Sequence, residues 1–165
     1  MGVTLLRVTM ACLGGVMLAL AGNTRDVILY NHSPSVPAGF YLRTDDALAR
    51  GTTVTVRAVD VARAYAAARH FTDAGDRFIK RVAATRGQVV CANGAAITID
   101  GAVAAQRIGR DSAGRALPTW EGCRTLTAEE VFLLGDTADS FDGRYWGPTP
   151  ERLIEGVWRP LAAQR

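Results

Sequence analysis

The chain opens on an uncharged apolar run and then changes to short alternating segments. Residues Val8 to Gly22 read VTMACLGGVMLALAG, with Arg7 just before and Arg25-Asp26 just after. A run of about fifteen residues falls short of the roughly 20 that span a bilayer, and Ala19-Leu20-Ala21 has the small-x-small form of a cleavage site. Counting Leu5, Leu6, Asn23 and Thr24 as flanks brings it near spanning length, with Arg7 left on the cytoplasmic side. Residues 1–25 are therefore expected to be either a signal peptide or a membrane anchor. Either one places residues 26–165, as a single extracytoplasmic domain, outside the cytoplasm, bound to the membrane or free after cleavage.

Beyond residue 25 the pattern predicts strands over 27–31, 39–43, 52–57, 77–84, 88–92, 96–99 and 131–134, each short, rich in β-formers and bounded by turn residues. Asn93-Gly94 and Asp100-Gly101 fall between such runs and predict hairpins. The sheet is thus expected to be antiparallel. The alanine-rich stretch Asp60 to Phe71 predicts one helical insert, closed by Asp73-Ala74-Gly75. A second short helix is expected to start at Thr127, where Thr-Ala-Glu-Glu offers an N-cap and an acidic first turn. The fold class is mainly β, an antiparallel coiled sheet or barrel with a small helical insert and an N-terminal apolar helix.

Charge and cysteines narrow the setting. A net charge of +3 without a basic run gives no support for nucleic-acid binding. Cys12 lies inside the apolar run, which leaves Cys91 and Cys123 as an even pair in the exported part. In an oxidising compartment they are expected to form a disulfide rather than stay as two thiols. No zinc ligand spacing is present, and Asp136, Asp139 and Asp142 are three apart, where a calcium loop needs two. No metal and no cofactor is expected.

The candidate chemistry sits in three separated segments. Ser33 and Ser35 occupy Ser33-Pro34-Ser35-Val36-Pro37, where two prolines stiffen the backbone directly after a strand and would fix a hydroxyl for attack on a carbonyl. The plainer reading is an ordinary Ser-Pro turn. Lys80 is the one lysine against eighteen arginines. In a strand it shares a face with Phe78 and Val82, so that if this face is buried, desolvation lowers its pKa and frees the amine to act as a base; arginine could not. The plainer reading is a surface lysine beside Arg81. His32, next to Ser33, would point to the opposite face if the strand ran on, which makes it a poor partner for either serine. The third segment is Gly135-Asp136-Thr137-Ala138-Asp139-Ser140-Phe141-Asp142-Gly143-Arg144-Tyr145-Trp146-Gly147.

Taken in order, Ser-x-Pro-x-Gly-hydrophobic-Tyr at 35–41, Lys-Arg-Val at 80–82 and Ser-Phe-Asp-x-Arg-Tyr-aromatic-Gly at 140–147 resemble the signal peptidase superfamily of Ser/Lys endopeptidases. The resemblance is closest to its conjugative-transfer branch, the TraF-type pilin-maturation peptidases, and runs from the apolar segment to Leu161. It implies Ser35 as nucleophile, Lys80 as general base, and Ser33 with the Ser35 N–H as oxyanion hole. It further implies Ser140 as the hydroxyl that orients the lysine, and Asp142 with Arg144 as a bracing ion pair. Three departures stand out: Ser35-Val36-Pro37 is one residue shorter than the general leader-peptidase motif, Arg86-Gly87-Gln88 replaces Pro-Gly-Asp, and Gly143 replaces a frequent serine. The implied partners are the inner membrane, with the domain facing the periplasm or free in it after cleavage, and an exported precursor protein, either a conjugative pilin subunit, whose product is linear or cyclic, or another exported protein. A general type I signal peptidase and an inactive membrane-tethered β module are the alternatives.

Overall fold

The computed structural model describes residues 26–161 apart from 72 and 74. The apolar segment expected to be a signal peptide or anchor lies outside the described residues. Among those described, no helix is long and apolar enough to cross a membrane.

Among the described residues eleven strands form two antiparallel sheets. In chain order they are β1 (Ile28–Asn31), β2 (Gly39–Thr44), β3 (Thr53–Arg57), β4 (Arg77–Ala84), β5 (Val89–Asn93), β6 (Ala96–Ile99), β7 (Ala102–Gln106), β8 (Gly122–Thr125), β9 (Glu130–Leu134), β10 (Thr149–Pro150) and β11 (Ile154–Pro160). The larger sheet runs β1-β2-β11-β3-β4-β9-β10, and the smaller runs β7-β6-β5-β8. The seven candidate strands are all present within a residue or two. Strands β7, β8, β10 and β11 come in addition.

The hairpin signals hold. Asp100 and Gly101 have φ of 51° and 82°, the paired positive values of the tight turn that matches strand twist, and they join β6 to β7. The helical expectations need correction. Asp60 to Phe71 is not one helix but lies across two short ones, α1 (Ala58–Val61) and α2 (Arg63–Ala67), broken at Ala62 with φ −150°. At Thr127 the local bonds of a capping box do form, Thr127 N–H to the Glu130 carboxylate at 3.1 Å and Glu129 N–H to the Thr127 hydroxyl at 3.4 Å. No helix follows, because Glu130 opens β9, whose Val131, Phe132 and Leu133 are buried against β4 and both sheets. Packing of that apolar run overrides the local signal.

Strand β4 has neighbours on both sides and apolar packing on both faces. Ile79 joins Val36, Tyr41 and Trp158 on one face, while Phe78 and Val82 join Val54, Val56, Val131 and Leu133 on the other. Lys80, opposite Val54, therefore lies inside the domain at 2% exposure.

Cys91 and Cys123 face each other across β5 and β8 and are bonded. The bridge ties the exposed edge strand β8 to the small sheet across a separation of 32 residues. A loop of that size gives about 3 to 4 kcal/mol of stabilisation in the chain-entropy account. Two outcomes are expected for the full chain: denatured without reductant it titrates one thiol, Cys12, and Cys123→Ser lowers the thermal midpoint by several degrees in a calorimetric scan.

Candidate active site

The serine turn is built by one side chain that the motif reading passed over. Asn31, buried at the end of β1, donates its amide to the carbonyls of Ser33, Val36 and Pro37 at 2.8, 2.9 and 3.1 Å, and its Oδ1 accepts the Ser33 N–H at 3.0 Å. The segment is thus wound around a single amide group. Tyr41 adds a hydroxyl bond to the Pro37 carbonyl at 2.7 Å. Two prolines remove N–H donors from the turn, so its carbonyls must find partners elsewhere, and Asn31 and Tyr41 supply them.

Within this frame the Ser33 and Ser35 hydroxyls lie 2.7 Å apart, and the Ser35 N–H donates to the Ser33 Oγ at 3.2 Å. Both serines, Lys80 and Ser140 line one cleft of about 540 Å³. The cleft brings together the residues that the sequence scattered over more than a hundred positions. His32 lines it too, against the expectation that it would face away; β1 ends at Asn31, and strand alternation ends with it.

Lys80 enters from the sheet. Its Nζ stands 5.8 Å from the centroid of the Phe78 ring, and among the described residues no carboxylate is within ion-pair distance of it. Burial lowers its pKa from 10.5 to about 8; the Asp142 charge pulls it partly back up and the Arg144 charge pushes it down. The amine is therefore poised near neutrality instead of being fixed as an ammonium.

The 135–144 segment is held by its own buried ion pair. Arg144 and Asp142 are in contact at 3.0 Å, at 3% and 0% side-chain exposure. Asp142 accepts the N–H groups of Gly135 and Arg144 at 2.7 and 3.0 Å. Arg144 donates to the carbonyls of Gly135, Thr137 and Ala138 at 3.1, 2.8 and 2.6 Å. A charged pair with this many fixed partners satisfies its buried polar groups and fixes the loop. Burial still pushes the Asp142 carboxyl above the usual carboxylate range, against Arg144 and the N–H donors that pull it down.

The loop so fixed is clamped onto the serine turn. Asp136 N–H donates to the Ser35 carbonyl at 2.6 Å, and the Asp136 carboxylate takes Arg81 Nε at 2.8 Å, one residue beyond Lys80. The Ser140 hydroxyl pairs with that of Thr137 at 2.9 Å. Two glycines let the loop pack this closely, Gly135 against Ser140 and the serine turn and Gly143 against β9. A Cβ on Gly135 would stand 2.2 Å from the Ser140 Oγ, and one on Gly143 would stand 2.6 Å from the Leu133 carbonyl oxygen. The glycine at 143, a departure from the family motif, is thus set by space in this chain. Among the described residues no three His, Cys, Asp or Glu side chains converge to hold a metal ion.

A buried lysine displaced this far burdens the fold by about 3 kcal/mol at neutral pH. The sign follows from proton counting. Below pH 8 both folded and unfolded chains hold the proton and the burden is complete; between about 8 and 10.5 only the unfolded chain holds it, so wild-type stability rises with pH. Lys80→Met is expected to be more stable than wild type in urea unfolding at pH 7, with the gap closing toward pH 10.

The family model for signal peptidase, peptidase S26, matches residues 2–161. Two curated relatives from Escherichia coli, each named plasmid transfer protein TraF, are 31% identical over 160 residues and 30% identical over 165 residues. The first alignment covers 90% of both chains, the second 93% of this chain and 92% of the relative. Among solved structures, a signal peptidase I from Enterococcus faecalis V583 covers 69% of this chain and 98% of its own, at 20% identity and a TM-score of 0.41. With the family match running through the serine turn, the lysine strand and the 135–147 segment, the chain belongs to the signal peptidase family, peptidase S26.

Proposed function

We propose that this chain is a membrane-associated Ser/Lys endopeptidase that matures an exported precursor, a pilin subunit of a conjugative system. The observation that carries the reading is the sole lysine, buried at 2% exposure in the cleft that also holds Ser33, Ser35 and Ser140, with its pKa lowered to about 8. The conjugative assignment is supported by the two TraF relatives, named for plasmid transfer, at about a third identity across nearly the whole chain. Placement outside the cytoplasm is supported by the Cys91–Cys123 bridge and by the apolar segment that precedes the domain.

In the proposed mechanism neutral Lys80 Nζ takes the proton from Ser35 Oγ as that oxygen attacks the scissile carbonyl carbon. The oxyanion that forms is received by the Ser35 N–H and the Ser33 hydroxyl, which in the free protein bond to each other and are released by the incoming carbonyl oxygen. The Lys80 ammonium then gives its proton to the leaving amine, and an ester to Ser35 remains. Lys80 next deprotonates either a water, which yields a linear product, or the amine of the substrate's own N-terminus, which yields a ring. Ser140, held by Thr137, orients the lysine amine, and the Asp142–Arg144 pair braces the loop without touching substrate.

Ser35→Ala is expected to abolish processing of a co-expressed candidate pilin while leaving the protein folded. Lys80→Arg keeps the charge but not the base, and should lower the rate by about 10²- to 10⁴-fold. Because the neutral amine acts, the wild-type rate rises with pH through a midpoint near 8. Mass spectrometry of the pilin reads all three, and a ring weighs one water less than the trimmed linear peptide. Cleavage retained by Ser35→Ala, or a rate that is flat from pH 5 to 9, rules the mechanism out.

A further inference from the structure

A strap of residues 107–121, between β7 and β8, ties the small sheet to the active-site segment. It holds the short helix α3 (Gly143–Trp146), which carries Arg144, at two points. The Ile108 N–H donates to the Tyr145 hydroxyl at 3.1 Å, and the Trp120 indole N–H donates to the Gly143 carbonyl at 3.0 Å. A Cβ on Gly147 would touch the Trp120 ring at 3.8 Å, and the same ring meets Phe132 edge-on at 6.2 Å. Arg144 in turn gathers the carbonyls of Gly135, Thr137 and Ala138, so a displacement of α3 reaches the loop that places Ser140.

The two ends of the strap are held by unequal means. At its start the buried Arg107 donates to the Gly94 and Trp120 carbonyls at 2.9 and 2.7 Å and pairs with Glu121 at 2.6 Å. At its end the chain enters β8, an edge strand whose four residues are all exposed. A strand that buries no side chain draws nothing from the apolar core, so its backbone pairing with β5 and the Cys91–Cys123 bridge hold it in place. Its Arg124 pairs with Glu130, but with the arginine 56% exposed such a pair contributes little. Val90 and Ala92 of β5 turn into the core, and Cys91 between them puts the bridge on the outer face of the small sheet. Cys123 is exposed there and Cys91 half-buried, so an attacking thiolate has access to the Cys123 sulfur.

We infer that the Cys91–Cys123 bridge is a redox latch on the active site: a dithiol that reduces it frees β8 and, through Trp120, loosens the loop carrying Ser140 without unfolding the domain. The effect on rate rests on the peptidase reading; the effect on the loop rests on the strap alone. One thiolate of the dithiol attacks Cys123 Sγ, the S–S bond breaks, and Cys91 leaves as a thiolate that takes up a proton. The second thiolate attacks the mixed disulfide, Cys123 leaves and is protonated in the same way, and the dithiol departs as a disulfide. Two electrons and two protons have then passed from the dithiol to Cys91 and Cys123. The domain outlasts this step because Val90, Ala92, Ile97, Ile99 and Phe132 form a cluster to which β8 adds no residue.

The test compares the purified full chain in detergent, oxidised, with the same protein treated with dithiothreitol while folded. Alkylation under denaturing conditions counts the thiols by mass spectrometry, and the three cysteines should all react only after treatment. Reduced protein should keep its circular dichroism and a thermal midpoint above the assay temperature. Amide exchange over 135–147 should rise about tenfold or more, with β3 and β4 within about twofold. Ser35-dependent cleavage of the candidate pilin should fall by roughly 10- to 100-fold, the scale of a small misplacement of catalytic groups, and return on reoxidation. Its rise with pH should shift above the midpoint near 8 as water reaches Lys80. Cys91→Ala combined with Cys123→Ala should behave as reduced wild type and ignore dithiothreitol. Trp120→Phe keeps a ring but loses the N–H, and should show the loosened loop with the bridge intact. The inference is overturned, and the peptidase reading left standing, if dithiothreitol cannot open the bridge in folded protein or if opening it unfolds the whole domain. It is equally overturned if an open bridge leaves exchange over 135–147, the cleavage rate or its pH midpoint unchanged, or if the Trp120→Phe loop is as tight as wild type. Loosening of 135–147 in protein that shows no Ser35-dependent cleavage in either state overturns the peptidase reading and keeps the latch.

Discussion

Taking an ammonium group out of water with no carboxylate in contact is costly, and Lys80, buried and without such a contact among the described residues, meets that cost by giving up its proton more readily. The sheet imposes it. Strand β4 is bonded on one side to β3 and on the other to β9, with Ile79 committed to one apolar cluster and Phe78 and Val82 to another. The lysine between them is buried and lines the cleft. The sheet thus supplies the desolvation that lowers the amine's pKa, and the surroundings of the cleft are arranged around that constraint.

The serine side and the loop side meet at the same place by different means. On one side a neutral amide, Asn31, gathers the carbonyls of a proline-stiffened turn; on the other a buried charge pair, Asp142 and Arg144, gathers the carbonyls of a glycine-opened loop. The two halves are then joined by the Asp136 N–H to the Ser35 carbonyl and by Arg81 to the Asp136 carboxylate. Arg144, close by but held by its own carboxylate, adds a positive field that opposes protonation of Lys80 without offering it a partner. On the proposed mechanism this places a neutral base and two hydroxyls beside a rigid turn, so that little reorganisation is needed when a peptide bond enters.

Much of this was legible in the sequence where the signal was local or chemical. A lone lysine among eighteen arginines, the stiff serine turn and the Ser-Phe-Asp segment all converge on the cleft, and the face shared by Phe78, Lys80 and Val82 follows from strand alternation. Nonlocal pairing was not legible. Strand β11 joins β2 to β3, yet its sequence includes Gly156 and ends in Pro160, so it carries no strong strand pattern. Asn31 read as the polar end of a strand, and nothing in sequence tells that its amide closes a turn five and six residues on. The Thr127 cap signal was real but was overridden by burial of the next strand, and the bond from Trp120 to the Gly143 carbonyl depends on segments that meet only in the folded chain.

The most direct measurement uses the fact that the chain has one lysine. Protein labelled with carbon-13 at lysine Cε gives a single side-chain resonance, whose chemical shift followed against pH reports the ionisation of Lys80 without interference. A midpoint near 8 is expected. A midpoint at the 10.5 of an ordinary lysine would contradict it, because an amine that stays protonated at working pH cannot take the serine's proton.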